Sequence, residues 1–199
     1  PINSRKLAIC RVSIVFSVVA AVVVACTSAA ASPSKLAASF AWSYRTDDYV
    51  RSKPAIAGSV AYVGSDDNAL HAVDLGSGEG LWTYETDGNV TGTPLVMGES
   101  VVFGSWDGSV YALRRADGSL QWRYDTQGWV TGSPTAGEGV VYVPSHDGFL
   151  YALDAAAGDL LWRVETDGRI AGGVSFAEGL LIFGSADKYV YAVAAADGS

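Results

Sequence analysis

The chain holds almost no sulfur. Of its 199 residues two are cysteine, Cys10 and Cys26, and both lie before position 27. Residues 40–199 therefore have no disulfide, no thiol nucleophile and no cysteine metal ligand. Histidine is equally scarce: His71 and His146 alone are too few for a histidine-rich metal centre. No apolar pattern of period 3.6 is sustained beyond position 40, which excludes amphipathic helices there. Cations are outnumbered, 13 Lys and Arg against 21 Asp and Glu, and three of the cations precede residue 27. A domain this acidic repels phosphate backbones, so nucleic acid is excluded as a partner. The chain also lacks a Gly-x-Ser-x-Gly elbow, a phosphate-binding loop and a His-Glu-x-x-His motif.

What the chain has is a period. Trp42, Trp82, Trp122 and Trp162 stand 40 residues apart. Tyr44, Tyr84 and Tyr124 follow two residues later, with Val164 in the fourth place, and Thr46, Thr86, Thr126 and Thr166 two after that. Pro54, Pro94 and Pro134 recur in turn, with Val174 fourth. Such a period marks an array whose units bury their apolar faces against one another. Within each unit, short runs such as Val60-Ala61-Tyr62-Val63 and Val110-Tyr111-Ala112-Leu113 predict strands. Turns such as Trp106-Asp107-Gly108 separate them, with residues that tolerate positive φ. Four short antiparallel strands per 40 residues predict an all-β fold, a β-propeller of four-stranded blades.

One stretch of the unit, Ala72-Val73-Asp74-Leu75-Gly76-Ser77-Gly78-Glu79-Gly80-Leu81-Trp82, recurs from Ala112 to Trp122 and from Ala152 to Trp162, and starts again at Ala192. It resembles the tryptophan-docking motif of the PQQ-like (quinoprotein-type) β-propeller repeat family, over residues 40–199. Arg114 and Ala194 depart from the motif's Asp, and Ala157 from its Thr. The resemblance implies that each repeat tryptophan packs onto the adjoining blade. It also implies rings of seven or eight blades. The repeats here begin on a tryptophan strand, 40–46, which predicts either a closed four-bladed ring completed by that strand or part of a larger ring.

Residues 1–26 stand outside the repeat. Arg5, Lys6 and Arg11 precede the apolar run from Val12 to Ala25, the pattern of an export signal. Val23-Val24-Ala25-Cys26 resembles a bacterial lipobox, which makes Cys26 the lipidation site; plain secretion and an uncleaved anchor are the alternatives. Residues 27–39 read as an Ala/Ser-rich tether and 40–199 as the propeller repeats. The expected location is the cell envelope, on the extracytoplasmic face, with a lipid anchor in the membrane.

In a rigid repeat the informative positions are those that vary while the framework stays fixed. Two slots of the repeat fall on one face. The hairpin slot reads Asp66, Trp106, His146, Ala186; the connection slot reads Tyr49, Asn89, Trp129, Arg169. Both tryptophans beyond the four of the framework fall in these slots. Tyr49, Trp106, Trp129, His146 and Arg169 thus form a candidate binding rim, with the alternative that Trp106 and Trp129 pack on each other over glycine turns. His71 takes the place of Tyr111, Tyr151 and Tyr191 and reads as framework. The Asp66-Asp67-Asn68 turn offers a cation too few oxygens.

The family resemblance also raises a quinone cofactor. Its dehydrogenases use a calcium-held quinone, a catalytic Asp and often adjacent cysteines. The cysteines and the long inserted loops are missing here, so the expectation is a non-enzyme without cofactor or metal. In fold and address the chain is similar to the propeller lipoproteins of the outer-membrane β-barrel assembly machinery. The reading is an exported interaction scaffold with an envelope protein partner and the capacity to self-associate through open blade edges. A small-ligand or PQQ–calcium propeller and a piece of a longer quinoprotein or sensor ectodomain are the alternatives.

Overall fold

The structure, a computed structural model, describes residues 41–199. The lipobox, Cys26 and the tether lie outside the described residues. Fifteen strands form four antiparallel sheets, each in simple sequential order. The first sheet comprises β1 (Ala55–Ala57), β2 (Val60–Gly64), β3 (Ala69–Asp74) and β4 (Gly80–Glu85). The second comprises β5 (Leu95–Met97), β6 (Ser100–Gly104), β7 (Ser109–Arg114) and β8 (Leu120–Asp125). The third comprises β9 (Thr135–Gly137), β10 (Val140–Pro144), β11 (Phe149–Asp154) and β12 (Leu160–Glu165). The fourth has three strands, β13 (Ser175–Ala177), β14 (Leu180–Gly184) and β15 (Val190–Ala194). The predicted all-β blades are what the chain forms.

Three apolar cores join the sheets in succession. Tyr62, Leu70 and Ala72 of the first meet Val101, Phe103 and Leu113 of the second; Val102, Val110 and Ala112 meet Val141, Val143 and Leu153; Tyr142, Leu150 and Ala152 meet Leu181, Phe183 and Val193. These side chains are fully or almost fully buried, and each valine, leucine or phenylalanine among them is worth about 1.5–3 kcal/mol relative to exposure. The second and third sheets thus use both faces, and the first and fourth one each.

The repeat tryptophans clamp successive sheets from outside. Trp82 Nε1 donates to Arg115 O at 3.0 Å, and Trp122 Nε1 donates to Ala155 O at 3.0 Å. The ring lies on a glycine in the next sheet's turn: a Cβ on Gly118, at φ 73°, would come within 2.8 Å of the Trp82 ring. Glycine is required there both for the left-handed backbone and for the indole's approach. The repeated Thr closes each blade: Thr126 Oγ1 donates to Gly108 O at 2.7 Å and Gly128 O at 2.8 Å, and Thr166 to Gly148 O and Gly168 O.

Among the described residues no ring closes. The segment 41–46 is not a strand and does not complete the fourth sheet. Instead Trp42 Nε1 donates to Leu75 O at 2.8 Å and the ring covers Gly78, as the outer tryptophan of a preceding blade would. A strand needs a ladder partner to satisfy its backbone, and docking by the indole alone does not supply one. The free faces of the first and fourth sheets leave Ile56, Ile182 and Val190 exposed, Val190 by 77%.

Candidate binding rim

Antiparallel order puts the β2–β3, β6–β7, β10–β11 and β14–β15 hairpins at one edge of the sheets. The connections that carry each outer strand to the next inner strand lie there too. A repeated backbone bond joins the two slots. Asp66 N donates to Tyr49 O at 2.8 Å, Trp106 N to Asn89 O at 2.9 Å, His146 N to Trp129 O at 2.9 Å, and Ala186 N to Arg169 O at 2.9 Å. The eight slot residues therefore form four adjacent pairs along one edge, as the 40-residue spacing predicts.

The side chains divide this edge. Trp106 and Trp129 stack with centroids 5.0 Å apart and planes 12° from parallel. Trp129 also meets His146 at 5.8 Å. Burial and the Arg169 guanidinium hold the His146 imidazolium below its usual range, so the ring is neutral near pH 7. Trp106, Trp129, His146 and Arg169 are thus brought together. Tyr49 is not part of this cluster; it is exposed, with the Arg51 guanidinium 5.8 Å over its ring. The indole pair does pack on itself, as the alternative reading expects, yet Trp129 remains 51% exposed.

Sequence reasoning missed a third slot, two residues after the connection slot: Arg51, Thr91, Thr131, Ala171. Each polar member bonds the hairpin slot of its own sheet. Arg51 Nε meets Asp66 Oδ2 at 2.7 Å, Trp106 Nε1 donates to Thr91 Oγ1 at 2.9 Å, and Thr131 Oγ1 pairs with His146 Nε2 at 2.8 Å. Ala171 and Ala186 leave the fourth pair without a polar link. The spacing of 40 was the available signal, but the pairing of slots 15 residues apart was not.

His71 is framework, as expected from its register. Its Nε2 lies 3.1 Å from Asp67 Oδ2, and its Nδ1 lies 3.2 Å from Tyr44 Oη and 3.3 Å from Thr83 Oγ1. The same position in later sheets holds Tyr111, Tyr151 and Tyr191, each donating to Asp107, Asp147 or Asp187 at 2.7 Å. That bond raises the Tyr191 hydroxyl to about 12.

Residues 35–130 and again 106–199 match the model of the PQQ-like family described as outer membrane protein assembly factor BamB. The chain belongs to this family. Among solved structures it is similar to BamB from Moraxella catarrhalis, with TM-score 0.70 and 23% identity over 77% of this chain and 52% of that one. It therefore spans about half the length of that BamB. Two computationally designed proteins are also similar, both at 19% identity: Ika4, with TM-score 0.66 over 75% of this chain and 93% of that one, and Ika8, with TM-score 0.65 over 72% and 45%. At these identities the structural likeness establishes the propeller fold alone. No curated protein matches the chain in sequence.

The quinoprotein side of the family suggests a calcium-held quinone, and the residues here do not suit one. Asp66 is committed to Arg51, and Asp67 to His71 and to the Asp47 N–H. Among the described residues no three His, Cys, Asp or Glu converge on one point. For a BamB-family chain the rim is the part of the molecule that differs from repeat to repeat, and an open cleft of about 290 Å³ lies beside its indole pair.

Proposed function

We propose that the protein is a non-enzymatic interaction scaffold of the cell envelope, exported, lipidated at Cys26, and offering the rim of Trp106, Trp129, His146 and Arg169 to a protein partner, with Tyr49 as an outlying contact. BamB-family membership supports the address and the class of function. The observation that carries the docking face is Trp129: a large aromatic, half exposed, held rigid by stacking on Trp106 and bonded through its backbone to His146. Rigid aromatics of this kind supply much of the binding energy in protein interfaces.

Affinity capture from detergent-solubilised envelopes tests the reading, using the full chain beside Trp129→Ala and Cys26→Ala. Wild type recovers a partner; Trp129→Ala recovers at least tenfold less while losing about 1 kcal/mol of stability or less; Cys26→Ala moves to the soluble fraction. Equal capture by Trp129→Ala would remove the rim from the interface, and unchanged fractionation of Cys26→Ala would remove the lipid anchor.

A further inference from the structure

The cleft beside the indole pair has a definite chemistry. Trp106 and Trp129 line it with Asp107, Gly108, Thr126, Gln127 and Gly128. At about 290 Å³ it lies at the lower end of small-molecule sites, which run from about 300 to 1,000 Å³. It suits one side chain of a partner better than a cofactor.

The only ionisable group in the lining is Asp107. Its carboxylate accepts from Ser109 N at 2.8 Å, Tyr111 Oη at 2.7 Å and Asp87 N at 3.1 Å. All three donors are neutral, so they fix its position without cancelling its charge, and about one of its four acceptor positions stays open. Exposed Asp87 and Asp167 share this edge. Of the nearby cations, Arg123 lies over the Tyr111 ring but is paired with Asp125 at 2.6 Å, Arg51 is tied to Asp66, and Arg169 lies by His146.

An electron-rich indole face beside an uncancelled carboxylate selects a flat cation. Guanidinium stacks on aromatic rings and donates to carboxylates in the same plane, which ammonium cannot do at once. Charge alone does not choose the place, since the turns at the opposite edge also carry acids, Asp74, Asp117, Asp154 and Asp197; the indoles there, Trp42, Trp82 and Trp122, are already laid on the turn glycines and bonded to the turn carbonyls.

We infer that the cleft beside the Trp106–Trp129 stack takes an arginine side chain from a basic, extended segment of the partner protein. This rests on the scaffold reading and adds the chemistry of its ligand. A sugar ring would also stack on Trp129, but it would gain nothing from the carboxylate.

The test is a titration of the intact protein, followed by tryptophan fluorescence and calorimetry. The probes are acetyl-Arg-Gly-Arg-Gly-Arg-amide, its lysine and citrulline counterparts, and chitotriose. The arginine peptide should bind at least tenfold tighter than the citrulline peptide and several-fold tighter than the lysine one. Trp129→Ala should cost about tenfold, Trp129→Phe less, and Asp117→Asn at the opposite edge nothing. Equal binding of the citrulline peptide would overturn the arginine inference while leaving protein docking at the rim intact. Binding of the arginine peptide undiminished in Trp129→Ala would reduce it to diffuse attraction and overturn it too. Binding of chitotriose in place of the peptides would overturn both readings. No binding by any probe would end the arginine inference, with the capture experiment still deciding the scaffold.

Discussion

Trp122 and Trp129 are seven residues apart in the same repeat and do opposite things. Trp122 is 7% exposed, donates to Ala155 O in the next sheet and lies on Gly158. Trp129 is 51% exposed; its hydrogen bond to the next sheet comes from its backbone carbonyl, which any residue supplies, and its ring meets His146 there at 5.8 Å. Asn89 and Arg169 make the same carbonyl bond at 2.9 Å as Trp129 does. The girdle position thus constrains its side chain, whereas the bond repeated at the rim position constrains only the backbone. On the scaffold reading proposed above, the large aromatic at this position has its reason outside the fold.

Breaking the girdle should have the largest effect. Trp122→Ala removes a buried indole and a hydrogen bond, at about 3–5 kcal/mol, read as a lower urea midpoint. A cost near that of a surface change would mean that the sheets do not depend on the clamp. Gly118→Ala comes next at about 2–3 kcal/mol, because the new Cβ meets the Trp82 ring and the backbone is left-handed. On the rim, Trp129→Ala should cost about 1 kcal/mol or less; a larger loss would make the two tryptophans alike and favour packing as the purpose of the stack.

The smallest effect is a pH dependence at His146. Trp129, Thr131, Asp147 and Arg169 surround the imidazole, and its folded-state pKa lies below the ordinary value. The unfolded chain therefore takes up the proton first. Stability from this group is complete above about pH 6.5, falls as pH drops below that, and levels off once the folded form also protonates. Asp67, Asp125 and Asp187 have lowered values and lose their contribution only in the more acidic range below the ordinary carboxylate pKa. Urea midpoints between pH 8 and 5 should show the His146 step in wild type and lose it in His146→Gln. The same step in both proteins would place its origin elsewhere.

Much of this was legible in advance. The strands, the girdle and the Thr closures repeat with the period, so four copies of one pattern point to the same local geometry. The hairpin and connection slots were legible as departures from that pattern. The Arg51–Asp66 pair and the bonds from Trp106 and His146 to Thr91 and Thr131 were not. They join residues 15 apart whose approach depends on how the blade folds back on itself. The position of 41–46 was also beyond the sequence, which offered it equally to the fourth sheet and to a larger ring.

By itself, then, the sequence determined the repeat, the strand order within each blade and the face on which variation collects. These follow from pairing between neighbours in the chain. Only the tertiary structure decided that Trp106 stacks on Trp129 and leaves Tyr49 apart, and that Trp42 docks on the first sheet without closing the fourth. Those contacts cross from one sheet to the next, where the angle between packed sheets decides which side chains meet.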